Sequence, residues 1–321
     1  MVTGGNVVDW TETKELLRGP AALVMTPFHQ DLSLNLEALT QNIRYMTDAG
    51  LQRGRGFLVV PCGTGEYVSL TRDEHRLLVE TAVRATDGTV PVVAGVGTCS
   101  YLDAIEMAQT AQQAGACCVM VPAPFYYELD EEVFFNWYAT LAKAVTIPIM
   151  VYDQVFRRAS LGAGLRLEGI ARLAEIPSLI SFKYGCPAQH LDMVPALDQY
   201  AERFAFIHGS PDFTSIISHM HGAYGFVSAP VTCWPTFELH YWDLLEARQY
   251  HEAAQWQARI APYTRLFSRE GGWGQYLFAA AVIKTTLEYV GLYGGPVRPP
   301  FRVLTEEQRE RLFALLDRLA L

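Results

Sequence analysis

Eight short apolar runs, each bounded by turn residues and followed by a helical stretch, constrain this chain more than any other feature. They are Ala21–Phe28, Gly56–Gly63, Pro91–Gly97, Cys117–Pro124, Ile147–Gln154, Leu179–Gly185, Phe204–Ser210 and Tyr224–Ala229. Brief, near-continuous apolar runs suit strands buried on both faces of a parallel sheet. Between them lie helical patterns such as Leu36–Gly50, which stops at a glycine suited to a C-cap, and one opened by the capping box Thr71-Arg-Asp-Glu74. Strands alternating with helices imply parallel βαβ units, and eight of them predict an α/β fold closed as a (β/α)8 TIM barrel. A doubly wound open sheet is the rival. It usually carries a glycine-rich dinucleotide loop after its first strand, and Met25-Thr-Pro-Phe-His29 is not one.

After the eighth run the pattern changes. Phe237–Ala247, Tyr250–Phe267, Trp273–Val290 and Glu306–Leu319 read as helices with no strand between them. The predicted organisation is an N-terminal arm at 1–20, a barrel at 21–235 and a C-terminal helical extension at 236–321. The apolar positions of that extension need cover, from the barrel or from a second subunit.

Composition narrows the function. A net charge of −9 argues against a nucleic-acid footprint, which would be basic. No apolar run is long enough to span a bilayer, and MVTGGNVVDWTETK lacks the layout of a signal peptide. The six cysteines include no CxxC pair and read as reduced, mostly buried thiols, so a cytoplasmic protein is expected. No metal site is expected: His219-x-His221 has the wrong spacing for a zinc helix and lacks an evident third ligand.

The sixth run holds an anomaly, Lys183, one of only four lysines in the chain. An ammonium in an apolar strand loses hydration, and it lowers that cost by releasing its proton. A neutral amine can attack a ketone to form a Schiff base. The alternative is a strand-end lysine that snorkels to water or pairs with a carboxylate. In a (β/α)8 barrel the active site lies at the C-terminal ends of the strands. That rule gathers Gly63, Thr64, Gly65, Tyr126, Tyr152, Lys183, His208 and Val227 at one mouth, with Arg157 and Arg158 just beyond the fifth strand. Backbone N–H groups around Gly63-Thr64-Gly65 could hold a carboxylate. A phenol such as Tyr152 could shuttle protons. An arginine could fork onto a second carboxylate. Taken singly, the glycines could be only a tight turn, Tyr152 a core phenol, His208 a satisfied core histidine and Arg158 a solvated loop residue.

Several stretches in order resemble the dihydrodipicolinate synthase and N-acetylneuraminate lyase family of Schiff-base enzymes. They are Met25-Thr-Pro-Phe28, Gly63-Thr-Gly-Glu66 with Ser69-Leu70 and Glu74, Ala94-Gly-Val-Gly97, Pro124-Phe-Tyr126, Val151-Tyr152, Phe182-Lys183, Gly222-x-x-Gly225 with Ser228, and Gly294-Gly295-x-x-Arg298-x-Pro300. The resemblance implies that Lys183 forms an imine with pyruvate or another 2-oxo acid and that Tyr152 relays protons. It also implies that Thr64 and its neighbours grip the carboxylate, that Tyr126 reaches across a subunit interface, and that Arg157 meets the second substrate. It implies a homodimer or homotetramer and no cofactor. Three departures stand out: Gly63 where a hydroxyl residue is usual, Asp153-Gln154-Val155 where Asn-x-Pro is common, and Tyr184 where an acidic residue is common. The expected activity is aldol cleavage or condensation with a 2-oxo acid. The alternatives are a keto-deoxy sugar acid dehydratase, like the keto-deoxyglucarate dehydratases that also carry glycine at this place, and a non-catalytic metabolite-binding barrel.

Overall fold

The computed structural model describes residues 10–126, 129–153, 166–184, 193–210, 212–267 and 278–319. Its strands are β1 (Gly19–Leu23), β2 (Phe57–Val59), β3 (Val92–Gly95), β4 (Cys118–Pro122), β5 (Ile149–Asp153), β6 (Leu179–Tyr184), β7 (Ala205–His208) and β8 (Gly225–Ser228). Each pairs in parallel with the next, and β8 returns to β1, so the sheet closes in chain order as the sequence predicts. β1 begins at Gly19, two residues earlier than the apolar run suggests.

Helix α1 (Thr11–Glu15) precedes β1, and α2 (Leu36–Asp48), α3 (Arg72–Thr86), α4 (Tyr101–Ala114), α5 (Glu131–Ala144), α6 (Leu167–Ala174), α7 (Met193–Tyr200) and α8 (Phe213–Met220) cross between strands. Their starts are set by local chemistry. Asn35, Ser100, Asp130 and Asp212 each accept a backbone N–H at an N-terminus, and Thr71 and Glu74 form the expected reciprocal box. Each such cap contributes about 1 kcal/mol. Then follow α9 (Pro235–Glu246), α10 (Tyr250–Ala258), α11 (Ala261–Thr264), α12 (Ala279–Tyr289) and α13 (Glu306–Leu319). Their apolar faces find cover within the chain: Phe237, Ile260, Ile283 and Leu312 join one buried cluster with Phe57 and Ile180.

Strand alternation sorts side chains between two layers. Cys118, Met120, Met150, Ile207 and Val227 belong to the cluster at the barrel centre, while Val119, Val121, Val151 and Phe206 pack in the cluster beneath the helices. On β6 the alternation breaks. Ile149 pairs with Leu179, but Met150 pairs with Ser181, so β6 carries one extra residue. Ile180 joins the central cluster, and Phe182 and Tyr184 then pack outward. That extra residue lets Lys183, three positions after Ile180, regain the inner face beside Tyr152.

Candidate active site

Lys183 and Tyr152 are register partners on β6 and β5. The Lys183 side chain is 7% exposed, and its Nζ lies 3.8 Å from the centroid of the Tyr152 ring. The π-face attracts a cation at this distance. The Lys183 charge also reaches Cys62, at the end of β2. Burial nevertheless pushes the Cys62 thiol up to about 11, so it stays protonated at neutral pH.

The segment after β2 is built to be tight. A Cβ on Gly65 would lie 2.4 Å from the Val24 carbonyl oxygen, so only glycine fits. The Gly65 N–H donates to Cys62 Sγ at 3.1 Å, and the Thr26 hydroxyl donates to the Gly65 carbonyl at 2.6 Å. Glu66 follows with φ of +66°, the left-handed region that a residue with a Cβ rarely adopts. Its side chain is anchored in return. Glu66 Oε1 lies 2.5 Å from Lys284 Nζ, and Oε2 accepts the Arg298 backbone N–H at 2.7 Å. Lys284 also donates to the Pro296 carbonyl at 2.7 Å, and Arg298 forks onto Glu74 at 2.8 and 2.5 Å. Burial pushes the Glu66 carboxyl up and pulls the Lys284 ammonium down, and their mutual attraction offsets part of both shifts. The Arg298 hydrogen bonds hold the Glu74 carboxyl below its ordinary value. The C-terminal extension thus pins the turn that carries Gly63 and Thr64.

A narrow cavity, with room for about one water molecule, lies between the ends of β2, β3, β4 and β5. Gly63 and Tyr152 line it, together with Tyr67, Gly97, Met120 and Pro122. A Cβ on Gly97 would stand 1.8 Å from the Tyr67 ring, so glycine there is a condition for the ring's placement.

Lys183 lies beside Tyr152, Tyr152 shares a cavity with Gly63, and Gly65 and the half-buried Thr64 follow Gly63 in the turn after β2. Val227 is 4% exposed and shares the central cluster that Tyr152 packs against. Tyr126 follows β4 and is 78% exposed. Arg157 and Arg158 lie outside the described residues.

The expectation for His208 is corrected. The ring is fully buried in the layer between β7 and α8, with Nε2 2.9 Å from Thr214 Oγ1 and Nδ1 2.9 Å from Ser218 Oγ. Burial works against the charge on nearby Asp212, but hydrogen bonds from His208, Thr214 and Ser210 hold its carboxyl well below the usual range. His208 holds a helix in place and does not face the mouth. Tyr184 points outward too, packing against Phe206 and His208. His219 and His221 each face a carboxylate, Glu246 and Asp198. Sequence reasoning passed over Tyr67 and Met120, whose place is set by side chains meeting across strands. Gly97 was the available signal.

Known proteins agree with this architecture. The model of the dihydrodipicolinate synthetase family matches residues 16–319. A 4-hydroxy-tetrahydrodipicolinate synthase of Methanothrix thermoacetophila is 29% identical over 308 residues, covering 95% of this chain and 98% of the relative. One from an Azoarcus species is also 29% identical over 308 residues, covering 94% and 98%. The crystal structure of dihydrodipicolinate synthase from Oceanobacillus iheyensis superposes with a TM-score of 0.86 at 22% identity, covering 97% of this chain and 99% of that one. With its barrel, its β6 lysine and a match across nearly its whole length, the chain belongs to the dihydrodipicolinate synthetase family.

Proposed function

We propose that Lys183 forms a Schiff base with pyruvate or another 2-oxo acid, and that the chain makes or breaks a carbon–carbon bond between this acid and an aldehyde. The enzyme is a class I lyase of its family. The observation that carries the assignment of residues is the placement of the Lys183 amine against the Tyr152 ring at the barrel mouth. The neutral amine attacks C2 of the acid, and the carbonyl oxygen leaves as water after protonation through the Tyr152 hydroxyl. Gly63 and Thr64 N–H groups hold the carboxylate. Loss of a C3 proton gives an enamine, whose C3 attacks the aldehyde carbon while the aldehyde oxygen takes a proton. Water then hydrolyses the imine and returns the free amine. Cleavage runs the same steps backwards. A dehydratase acting on a keto-deoxy sugar acid is the second reading, favoured by the glycine at 63. Reductive trapping with pyruvate tests the imine.

The relatives' named reaction is a separate matter. Gly63 brings no hydroxyl to the space beside Tyr152, and a water bridging two phenols is a less well positioned relay than a fixed side chain. We expect pyruvate to be trapped, but turnover with aspartate semialdehyde to fall below the ordinary enzymatic range of about 1–10³ per second. A coupled assay giving turnover inside that range would contradict the reading of Gly63.

The enzyme is expected to be a cytoplasmic homodimer or homotetramer. Two observations support the assembly. Tyr126 is exposed, together with Val68, Tyr101 and Leu102, and α8 presents Phe213 and Met220 to solvent. Light scattering should give at least a dimer. A stable monomer would leave Tyr126 without the role proposed for it. Among the described residues no helix is long and apolar enough to cross a membrane.

A further inference from the structure

We infer that Cys62 and Thr26 are positioning residues for the substrate carboxylate: their side chains clamp Gly65 from two sides and so aim the N–H groups of the turn at the 2-oxo acid. The inference rests on the imine reading and adds to it two residues that act through the turn without touching substrate.

Placement is the first argument. Thr26 follows β1, Cys62 follows β2, and both are buried. The Gly65 N–H donates to Cys62 Sγ at 3.1 Å, and the Thr26 hydroxyl donates to the Gly65 carbonyl at 2.6 Å. One residue is thus held at both of its peptide groups. The thiol in turn donates to the Val24 carbonyl at 3.6 Å, which ties the clamp to the end of β1. Cys62 also lines the narrow cavity with Gly63 and Tyr152, and the Lys183 charge reaches it. The clamp therefore adjoins the residues assigned to the chemistry.

The turn's donors are the second argument. The Glu66 N–H donates to the Gly63 carbonyl and the Tyr67 N–H to the Cys62 carbonyl, each at 3.3 Å. With the Gly65 N–H on sulfur, three successive N–H groups are engaged inside the turn. Those of Gly63 and Thr64 come just before them, and they are the ones assigned to the carboxylate. The Thr64 N–H also lies near enough to the sulfur to draw the thiol's pKa down. Sulfur thus neighbours both peptide groups that flank Thr64, and its position sets their tilt.

Chemistry is the third argument. Sulfur is a weak acceptor, so it orients an N–H without competing strongly with a carboxylate for it. Burial pushes the thiol up to about 11, so no negative charge stands beside the incoming anion. Donors held in place before the substrate arrives lose less freedom on binding. Gly63 has no side chain with which to brace the turn, and Cys62 supplies one from the adjacent position.

The test sets pyruvate against methyl pyruvate, which presents the same ketone without the charged carboxylate. Borohydride trapping on the whole chain, read by intact mass over a concentration series, gives the half-saturating concentration of each. The wild type should favour pyruvate. Cys62→Ala should weaken pyruvate roughly tenfold, the scale of a hydrogen bond to a charged group, and leave methyl pyruvate within about twofold. Thr26→Val should move the ratio in the same direction, and Cys62→Ser, which restores a donor and an acceptor, should bring it back most of the way. The ratio within one variant is independent of its folded fraction, and Thr26→Val carries the same expectation should Cys62→Ala fail to fold. A wild type that does not distinguish the two ketones, a ratio unmoved by the variants, or an equal weakening of both ketones would overturn the clamp, while a trapped pyruvate adduct on the wild type left the imine standing. Absence of that adduct would remove both.

Discussion

Lys183→Arg abolishes imine formation, and Tyr152→Phe slows turnover by roughly 10²–10⁴-fold, the usual range for loss of a positioned proton donor. Arginine keeps the positive charge and can still lie over the Tyr152 ring, but guanidinium does not deprotonate and cannot attack a ketone. Burial alone does not single out Lys183. Lys284 is more buried than Lys183, at 1% against 7%, and its Nζ meets Glu66 and the Pro296 carbonyl. Phenylalanine at 152 retains the ring face beside Lys183 and removes only the hydroxyl, so the fold should survive. Steady-state rates and a thermal melt check both variants. A fully active Tyr152→Phe removes the phenol from the mechanism, and an unfolded one assigns it to the core.

The second large effect is on stability. Glu66→Gln or Lys284→Met should each cost about 3–5 kcal/mol, because each leaves a buried group without its partner. In a chain of this size that is a fall in Tm on the order of 10 °C. The two variants should differ in sign with pH. In Lys284→Met the remaining carboxyl has a folded pKa raised by burial above its unfolded value. The folded state then binds the extra proton, so the variant is least impaired at acid pH and loses stability as pH rises through the folded pKa. In Glu66→Gln the remaining amine has a folded pKa lowered by burial. Its penalty is largest where the amine is charged and is relieved as pH rises through that folded pKa. Denaturant titrations across pH measure both slopes, and the double variant should be less impaired than the sum of the singles. Loss of Glu66 should also raise the KM for the 2-oxo acid, since its side chain anchors the turn bearing Gly63 and Thr64.

The barrel was legible because each strand is an apolar run closed by turn residues, and such runs leave few alternatives. Lys183 was legible because a lysine in such a run is chemically out of place. His208 was misassigned by its place at a strand end. Alternation with Ile207 already put it on the helix side, and parity was the better guide. Parity in turn would have mislaid Lys183 relative to Ile180, because the extra residue in β6 leaves no local mark in the sequence. The Glu66–Lys284 pair joins positions more than two hundred residues apart, and nothing in the spacing of either announces the other. Tyr67 and the cavity depend on a ring lying across Gly63 and Gly97, a tertiary fact that single residues do not encode. Arg157, assigned to the second substrate by resemblance, lies outside the described residues.

The most direct measurement is peptide mapping by mass spectrometry after borohydride reduction in the presence of pyruvate. One reduced adduct is expected, on the peptide that contains Lys183, and none in Lys183→Arg. An adduct on Lys14, Lys143 or Lys284, or none at all on folded protein, would contradict the Lys183 assignment.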